Sequence, residues 1–212
     1  MEFITIPTLY INLTCRLDRN EATLKELAKV GITSPERCNA VSLENGALGC
    51  SMSHLKCVEL AKKRDYEAIF ICEDDIEFLD AELFLKQIGI FLASPIKWDV
   101  IIVSGNNMIP FKHVNNTCIQ VFNCQTTTGY IVKKHYYDTL IENYKTGIQH
   151  LLKEPTKNDY KIDKYWFSLQ KKDSWYLIIP LSVVQREDYS DIEKKVTNFK
   201  RHMLNYNKAY KV

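Results

Sequence analysis

The sequence predicts an α/β fold in which a mainly parallel, mixed central sheet is flanked by helices, and three observations predict it. Short, largely apolar runs at Thr8–Leu13, Ala68–Cys72 and Asp99–Val103 have the length of strands buried on both faces. Longer stretches between them place apolar residues at helical spacing behind capping residues. The 212 residues suffice for one domain with a sizeable core.

Taken in order, Thr8–Leu13 is the first strand, ending in the polar cluster Thr14–Asn20. Asn20 is then expected to cap a helix whose Leu24, Leu27, Ala28 and Ile32 share one face. Pro35 and Gly46 mark a loop, and Ser51 or Ser53 can cap a helix running to Arg64. The strand Ala68–Cys72 follows, and Asp80 caps a helix that Pro95 breaks. Asp99–Val103 is the next strand, and Ile119–Cys124 and Gly129–Val132 read as short strands flanking Thr126–Thr128. A helix is expected from His135 to Leu152, a short one over Ile162–Gln170, and a strand at Tyr176–Ile179. The final segment, Asp191–Tyr210, reads as a basic C-terminal helix with its apolar face at Ile192, Val196, Phe199, Met203 and Tyr206. One domain over residues 1–212 accounts for all of these.

Composition narrows the function. Lys+Arg 28 against Asp+Glu 26 gives no global charge for nucleic-acid binding, although the six basic residues after Glu193 meet no acid. Seven cysteines without a C-x-x-C pair argue for reduced, buried thiols rather than a disulfide framework or a zinc site. The N-terminus lacks a basic signal-peptide segment, and the longest apolar stretch, Trp175–Val184, is short of the ~20 residues a membrane span needs. A cytoplasmic protein without a membrane span is the expectation.

Ligands of open α/β sheets gather beyond the carboxyl ends of strands. There the chain places Glu73-Asp74-Asp75, with Glu77 close behind. Such a cluster is costly unless a cation stands among the carboxylates, and hard oxygen donors suit Mg²⁺ or Mn²⁺ carrying a substrate phosphate. The other reading of the same residues is a solvated acidic turn ahead of a helix. Neither G-x-x-x-x-G-K-[ST] nor G-x-G-x-x-G occurs, which removes P-loop kinases and dinucleotide dehydrogenases as first choices. Gly49-Cys50-Ser51-Met52-Ser53-His54 is expected to open a helix whose N-terminus favours an anion, and Arg16 and Arg19 follow the first strand.

Tyr10-Ile11-Asn12-Leu13 with Arg16 and Arg19, Gly49-Cys50 with Ser53-His54, and Ile71-Cys72-Glu73-Asp74-Asp75 occur in one order. Thr128-Gly129-Tyr130-Ile131-Val132, Ile162-Asp163, Pro180, Val184-Gln185 and Tyr189-Ser190 extend the series. The ordered set resembles glycosyltransferase family 25, which contains lipooligosaccharide glycosyltransferases and procollagen galactosyltransferases. Cys72 stands where that family usually has leucine.

The resemblance implies a GT-A fold, a nucleotide-diphosphate sugar donor, most simply a UDP-sugar, and Mn²⁺ or Mg²⁺. It implies that Asp75 coordinates the metal, that Glu73-Asp74-Asp75 replaces a D-x-D motif, and that Glu73 approaches the ribose. Asn12, Leu13 and Arg16 would line the nucleotide pocket, with Ser53 and His54 near the phosphates. Thr128 and Gly129 belong to the family's motif, and Gln185 falls near the sugar. Asp163 would be the general base of an inverting transfer to a hydroxyl of a glycan or glycoprotein. Tyr165-Trp166-Phe167 reads equally as a sugar platform or as core. A sugar-phosphate nucleotidyltransferase and a non-catalytic module of a glycan-assembly protein are the alternatives; the first would normally carry a glycine-rich loop, and Thr14–Asn20 contains no glycine.

Overall fold

A computed structural model describes residues 1–190 and 194–209. The strands are β1 (Thr8–Asn12), β2 (Glu36–Asn39), β3 (Ala68–Glu73), β4 (Ile76–Phe78), β5 (Val100–Asn107), β6 (Phe111–His113), β7 (Cys118–Val121) and β8 (Cys124–Lys133). They continue with β9 (Trp175–Ile178), β10 (Val183–Gln185), β11 (Asp188–Ser190) and β12 (Lys195–Thr197). The helices are α1 (Leu17–Lys29), α2 (Gly46–Lys63), α3 (Ala81–Ala93), α4 (Tyr137–Lys153), α5 (Ile162–Tyr165), α6 (Phe167–Gln170) and α7 (Lys200–Met203).

Eight strands form the main sheet in the order β2-β1-β3-β8-β5-β9-β7-β6. β1, β2, β3, β5, β6 and β9 run one way, and β7 and β8 run the other. The expected mainly parallel, mixed sheet between helices is therefore the observed one. Strand alternation divides the core. Ile69 and Ile71 pack with Leu9, Ile102 and Val132 beneath α2 and α4, where Cys57, Val58, Leu140 and Tyr144 lie. Phe70 and Cys72 point the opposite way with Tyr10, Ile101 and Ile131, against Leu27 of α1 and Phe84 and Ile88 of α3. Burying both faces explains why these strands read as unbroken apolar runs.

Because β8 runs against its neighbours β3 and β5, its first residues meet the carboxyl ends of those strands. Gln125 pairs with Asn106, and the register shifts between Ile102 and Asn106. Thr126 has φ 71° there, a left-handed conformation that a β-branched residue rarely adopts. Thr126–Thr128 thus belong to one long strand instead of separating two short ones. This arrangement brings Asn12, Glu73, Asn106 and Thr126–Thr128 to one edge.

Several elements depart from the sequence expectations. The α1 helix begins at Leu17 and ends before Ile32, which is buried in the connection beyond it. Asn45, whose side chain accepts from Leu48 N–H, caps α2. Gly49–His54 consequently lie inside α2, and the anion-binding helix N-terminus expected there is not formed. Ser51 and Ser53 instead donate to the carbonyls of Ala47 and Gly49, four residues back. The edge strand β2 has too polar a sequence to be recognised, because only Cys38 of its four residues is buried. The basic helix expected over 191–210 is replaced, over its described part, by β12 paired antiparallel with β11 and by the single turn α7. Residues 191–193 and 210 of that span lie outside the described residues. Val196, assigned to the packed face of that helix, is instead 64% exposed, whereas Met203 is buried. Antiparallel pairing of Tyr189 with Val196 cannot continue a 3.6-residue helical period.

Candidate active site

Two adjoining cavities open at this edge of the sheet. The first, roughly 180 Å³, is bordered by Asn12, Leu13, Arg19, Asp74 and Asp75 on one side and by Val41–Leu43 on the other. The second, roughly 240 Å³, is bordered by Asn106, Thr126–Thr128, Lys161, Asp163 and Phe199. Cys50, Glu73 and Gln185 border both and mark where they meet.

The acidic cluster divides its work by position. Asp74 accepts from Asn12 Nδ2 at 2.7 Å and from Arg19 at 2.5 Å. Arg19 also reaches Asp188 at 3.0 Å and Asp75 at 3.6 Å, so one part-buried guanidinium offsets three carboxylates. Burial still pushes the Asp74 carboxyl up, against the pull of Arg19. Asp75 is 4% exposed. Its Oδ2 accepts from Gln185 Nε2 at 2.8 Å, while its Oδ1 is buried without a hydrogen-bond partner. Burial and the neighbouring Glu73 charge raise its carboxyl to about 7. Asp75 borders the first cavity, and a cation there would satisfy its unpartnered, desolvated oxygen. A hard oxygen donor with space for water and diphosphate oxygens fits Mn²⁺ or Mg²⁺.

Glu73 is held at the junction. It accepts from Thr127 Oγ1, and its Oε1 lies 3.2 Å from His54 Nε2. Burial works to raise its carboxyl, but these bonds and the charge of Arg19 keep it below the usual range. His54 is fully buried, with Nδ1 2.8 Å from the Tyr130 hydroxyl, which accepts from Tyr144. Both ring nitrogens are thus engaged by protein groups. Ser53 Oγ accepts from Val41 N–H while donating to Gly49, so it fixes the cavity wall. Ser53 and His54 border the first cavity, but their hydrogen bonds give them positioning duties rather than phosphate contacts.

Arg16 pairs with Asp18 at 2.9 Å and lies 3.7 Å from Asp188; Arg19, one helical turn onward, is the arginine that borders the cavity. Thr128 borders the second cavity, whereas Gly129 is packed inside the sheet. A Cβ on Gly129 would stand 2.8 Å from Val103 Cγ2 and 3.0 Å from Ile76 Cδ1. Gly129→Ala should therefore cost about 1–3 kcal/mol by overpacking, measured by urea denaturation. A neutral result would show that the packing explanation is wrong.

Asp163, the second residue of α5, accepts from Thr126 N–H at 3.3 Å. Burial, reinforced by the Glu73 charge, raises its carboxyl despite that bond. Of Tyr165-Trp166-Phe167, only Trp166 is core; Phe167 packs half-buried against that core, and Tyr165 lies half-buried against His150 and Tyr160. Trp166 is fully buried, donates to Cys124 O at 2.9 Å and packs edge-on against Tyr130 and Trp175. Phe199, from the segment expected to form the last helix, supplies an aromatic wall instead. Gln125, Thr126 and Thr127 escape sequence reasoning because only the antiparallel insertion of β8 puts them at the site, whereas Asn106 reaches it at the carboxyl end of β5.

The family model described as glycosyltransferase family 25 (LPS biosynthesis protein) matches residues 19–165. The chain belongs to glycosyltransferase family 25. It is accordingly a glycosyltransferase, and its mixed, mostly one-way sheet is of the GT-A kind. A search of curated proteins finds no match. Among solved structures, the chain is similar to a glycosyltransferase involved in glycosylation of the major capsid of PBCV-1, at 12% identity and TM-score 0.40, covering 82% of this chain and 92% of that one. It is also similar to a Drosophila β-1,4-galactosyltransferase 7 variant in complex with manganese, UDP-Gal and xylobiose, at 10% identity and TM-score 0.38, covering 92% and 71%. A third is 4-diphosphocytidyl-2C-methyl-D-erythritol synthase from Anaerococcus prevotii, at 12% identity and TM-score 0.45, covering 95% and 96%. The family assignment rests on the sequence match and not on these distant likenesses. No helix among the described residues is long and apolar enough to cross a membrane.

Proposed function

We propose that this glycosyltransferase moves a hexose or deoxyhexose from a UDP-sugar to a hydroxyl of a glycan or glycoprotein, with Mn²⁺ or Mg²⁺ at Asp75. The observation that carries this reading is the unpartnered, buried Oδ1 of Asp75 at the wall of a cleft whose second cavity contains Asp163. The first cavity takes the nucleotide, with Asn12 and Leu13 lining it. Arg19 offsets the local carboxylates, and Gln185 fixes the Asp75 side chain through its 2.8 Å hydrogen bond. The second cavity takes the acceptor, and the sugar being transferred lies where the two meet.

When bound, the metal spreads the negative charge that develops on the departing diphosphate. The chain's own contribution is proton transfer and orientation. Asp163 takes the proton of the acceptor hydroxyl as its oxygen attacks the anomeric carbon, and the Thr126 N–H holds the carboxylate in place. A carboxyl raised by burial is better matched to that task than an exposed one. The left-handed Thr126 sets that N–H direction, so backbone strain in β8 serves the base.

Calorimetry tests the donor half directly. UDP binding to the wild type is expected to require Mn²⁺, and Asp75→Asn is expected to remove that requirement together with the affinity. Equal binding with and without Mn²⁺ in both proteins would overturn the metal-diphosphate assignment. Hydrolysis of a panel of UDP- and GDP-sugars, glucose, galactose and rhamnose donors included, then identifies the sugar.

A further inference from the structure

Three side chains at the junction of the cavities form a second set of ligating atoms that the Asp75 site does not use. Cys50 and His54 stand four residues apart on α2 and therefore on one helix face. Glu73 ends the neighbouring strand. A cysteine sulfur, an imidazole nitrogen and a carboxylate oxygen from these residues all lie within 4.8 Å of one another. One cation with bonds of about 2.0–2.3 Å could reach all three after small adjustments.

The surroundings favour ligation independently of that spacing. Tyr130, itself fully buried and bonded to Tyr144, holds the His54 ring through Nδ1 and leaves Nε2 facing Glu73. A ligating imidazole needs such a partner, because its other nitrogen must carry the proton and donate it. Cys50 and Glu73 border both cavities, which supplies an entry path and space for a water or substrate as fourth ligand. The donor set is also distinct in kind. Sulfur and nitrogen beside one oxygen suit Zn²⁺ or Co²⁺, whereas the oxygen donors around Asp75 suit Mn²⁺ or Mg²⁺.

We propose that Cys50, His54 and Glu73 bind a Zn²⁺-class cation at a site separate from Asp75, and that its occupancy blocks glycosyl transfer. Binding releases the Cys50 thiol proton to solvent and forms a sulfur–metal bond, while the His54 tautomer with its proton on Nδ1, donated to the Tyr130 oxygen, leaves Nε2 to the metal. The blocking follows from position: the cation stands where the donor and acceptor cavities meet, which Cys50 and Glu73 border. This second half rests on the proposed function; the binding half does not.

Co²⁺ is the probe for binding. Titrating the metal-free, reduced protein with Co²⁺ should give thiolate-to-metal charge-transfer absorption and tetrahedral visible bands, both displaced by Zn²⁺. Cys50→Ser should lose the charge-transfer absorption and weaken Zn²⁺ binding on the order of 100-fold, with circular dichroism confirming that it folds. Glu73→Gln should keep the charge-transfer absorption and weaken Zn²⁺ less, which guards against a misfolded serine variant. Asp75→Asn should keep the entire Co²⁺ spectrum, so failure of the Mn²⁺–UDP reading and failure of this one are distinguishable. Absence of charge-transfer absorption in the wild type, or its persistence in Cys50→Ser, overturns the site. Donor-sugar turnover at saturating Mn²⁺ should fall at least about tenfold when the site measured by Co²⁺ displacement is filled with Zn²⁺. Unchanged turnover overturns the blocking role.

Discussion

Asp75→Asn is expected to abolish Mn²⁺-dependent UDP binding while raising the melting temperature of the metal-free protein. The two effects have one origin. Asp75 is almost fully buried, close to Glu73 and Asp74, with one oxygen unpartnered. Its carboxyl is raised from 3.8 to about 7 by burial first and by the Glu73 charge second. At about 1.4 kcal/mol per pKa unit, charging it in the folded state costs at most about 4 kcal/mol.

The pH dependence has a definite sign. Between pH ~4 and ~7 the folded protein keeps a proton on Asp75 that the unfolded chain has released. That contribution to stability is fully present below pH ~4 and is lost as the pH rises through ~7. Asparagine does not titrate, so the advantage of the variant should be near zero at pH 4 and greatest above pH 7. Recovery of about 1–2 kcal/mol above pH 7 corresponds to a gain of roughly 2–8 °C for a protein of this size. Mn²⁺ and UDP at ~100 times the dissociation constant should then stabilise only the wild type, by about 2.7 kcal/mol, and reverse the order. Scanning calorimetry of both proteins, with and without Mn²⁺ and UDP, reads all of this. A metal-free variant less stable than the wild type at pH 8 would contradict the unmet charge at Asp75.

Asp163→Asn should leave UDP binding intact and reduce kcat for transfer by about 10²–10⁴-fold, the usual worth of a general base. Asparagine retains an oxygen to accept the Thr126 N–H, so the geometry of α5 against β8 should persist. What is lost is the capacity to take a proton. The acid limb of the wild-type kcat/KM profile should lie above the ordinary carboxylate range, because burial and Glu73 raise this group. That limb should vanish in the variant's residual activity. Transfer near the wild-type rate, or an unchanged acid limb, would remove Asp163 from the base role.

These two residues also show how unequally the site was written into the sequence. Glu73-Asp74-Asp75 was legible because the cluster is local: four successive apolar residues, Ile69–Cys72, announce a buried strand, and the carboxylates follow at once. Asp163 was legible only through the family resemblance, since an acid near the start of a short helix is otherwise ordinary. Gly129 followed the same motif, yet it serves packing. The Cys50–His54 pair was visible at i, i+4, but its third partner, Glu73, lies 19 positions further along and meets it only across the fold.

By itself the sequence determined the α/β class, the buried central strands and the acidic turn. Each depends on near neighbours: runs of apolar residues for strands, 3.6-residue periodicity for helices, and carboxylates directly after a strand. The tertiary structure alone decided which arginine compensates those carboxylates, that Trp166 is core while Phe199 faces the cleft, and that Thr126–Thr128 join the site. It also decided that the chain after Asp188 forms an antiparallel strand pair and one helical turn among the described residues, against an apolar spacing that suited a helix. The physical reason is common to all four. Local periodicity constrains which side of an element is buried, but the antiparallel insertion of β8 and the packing of distant segments determine what each side meets.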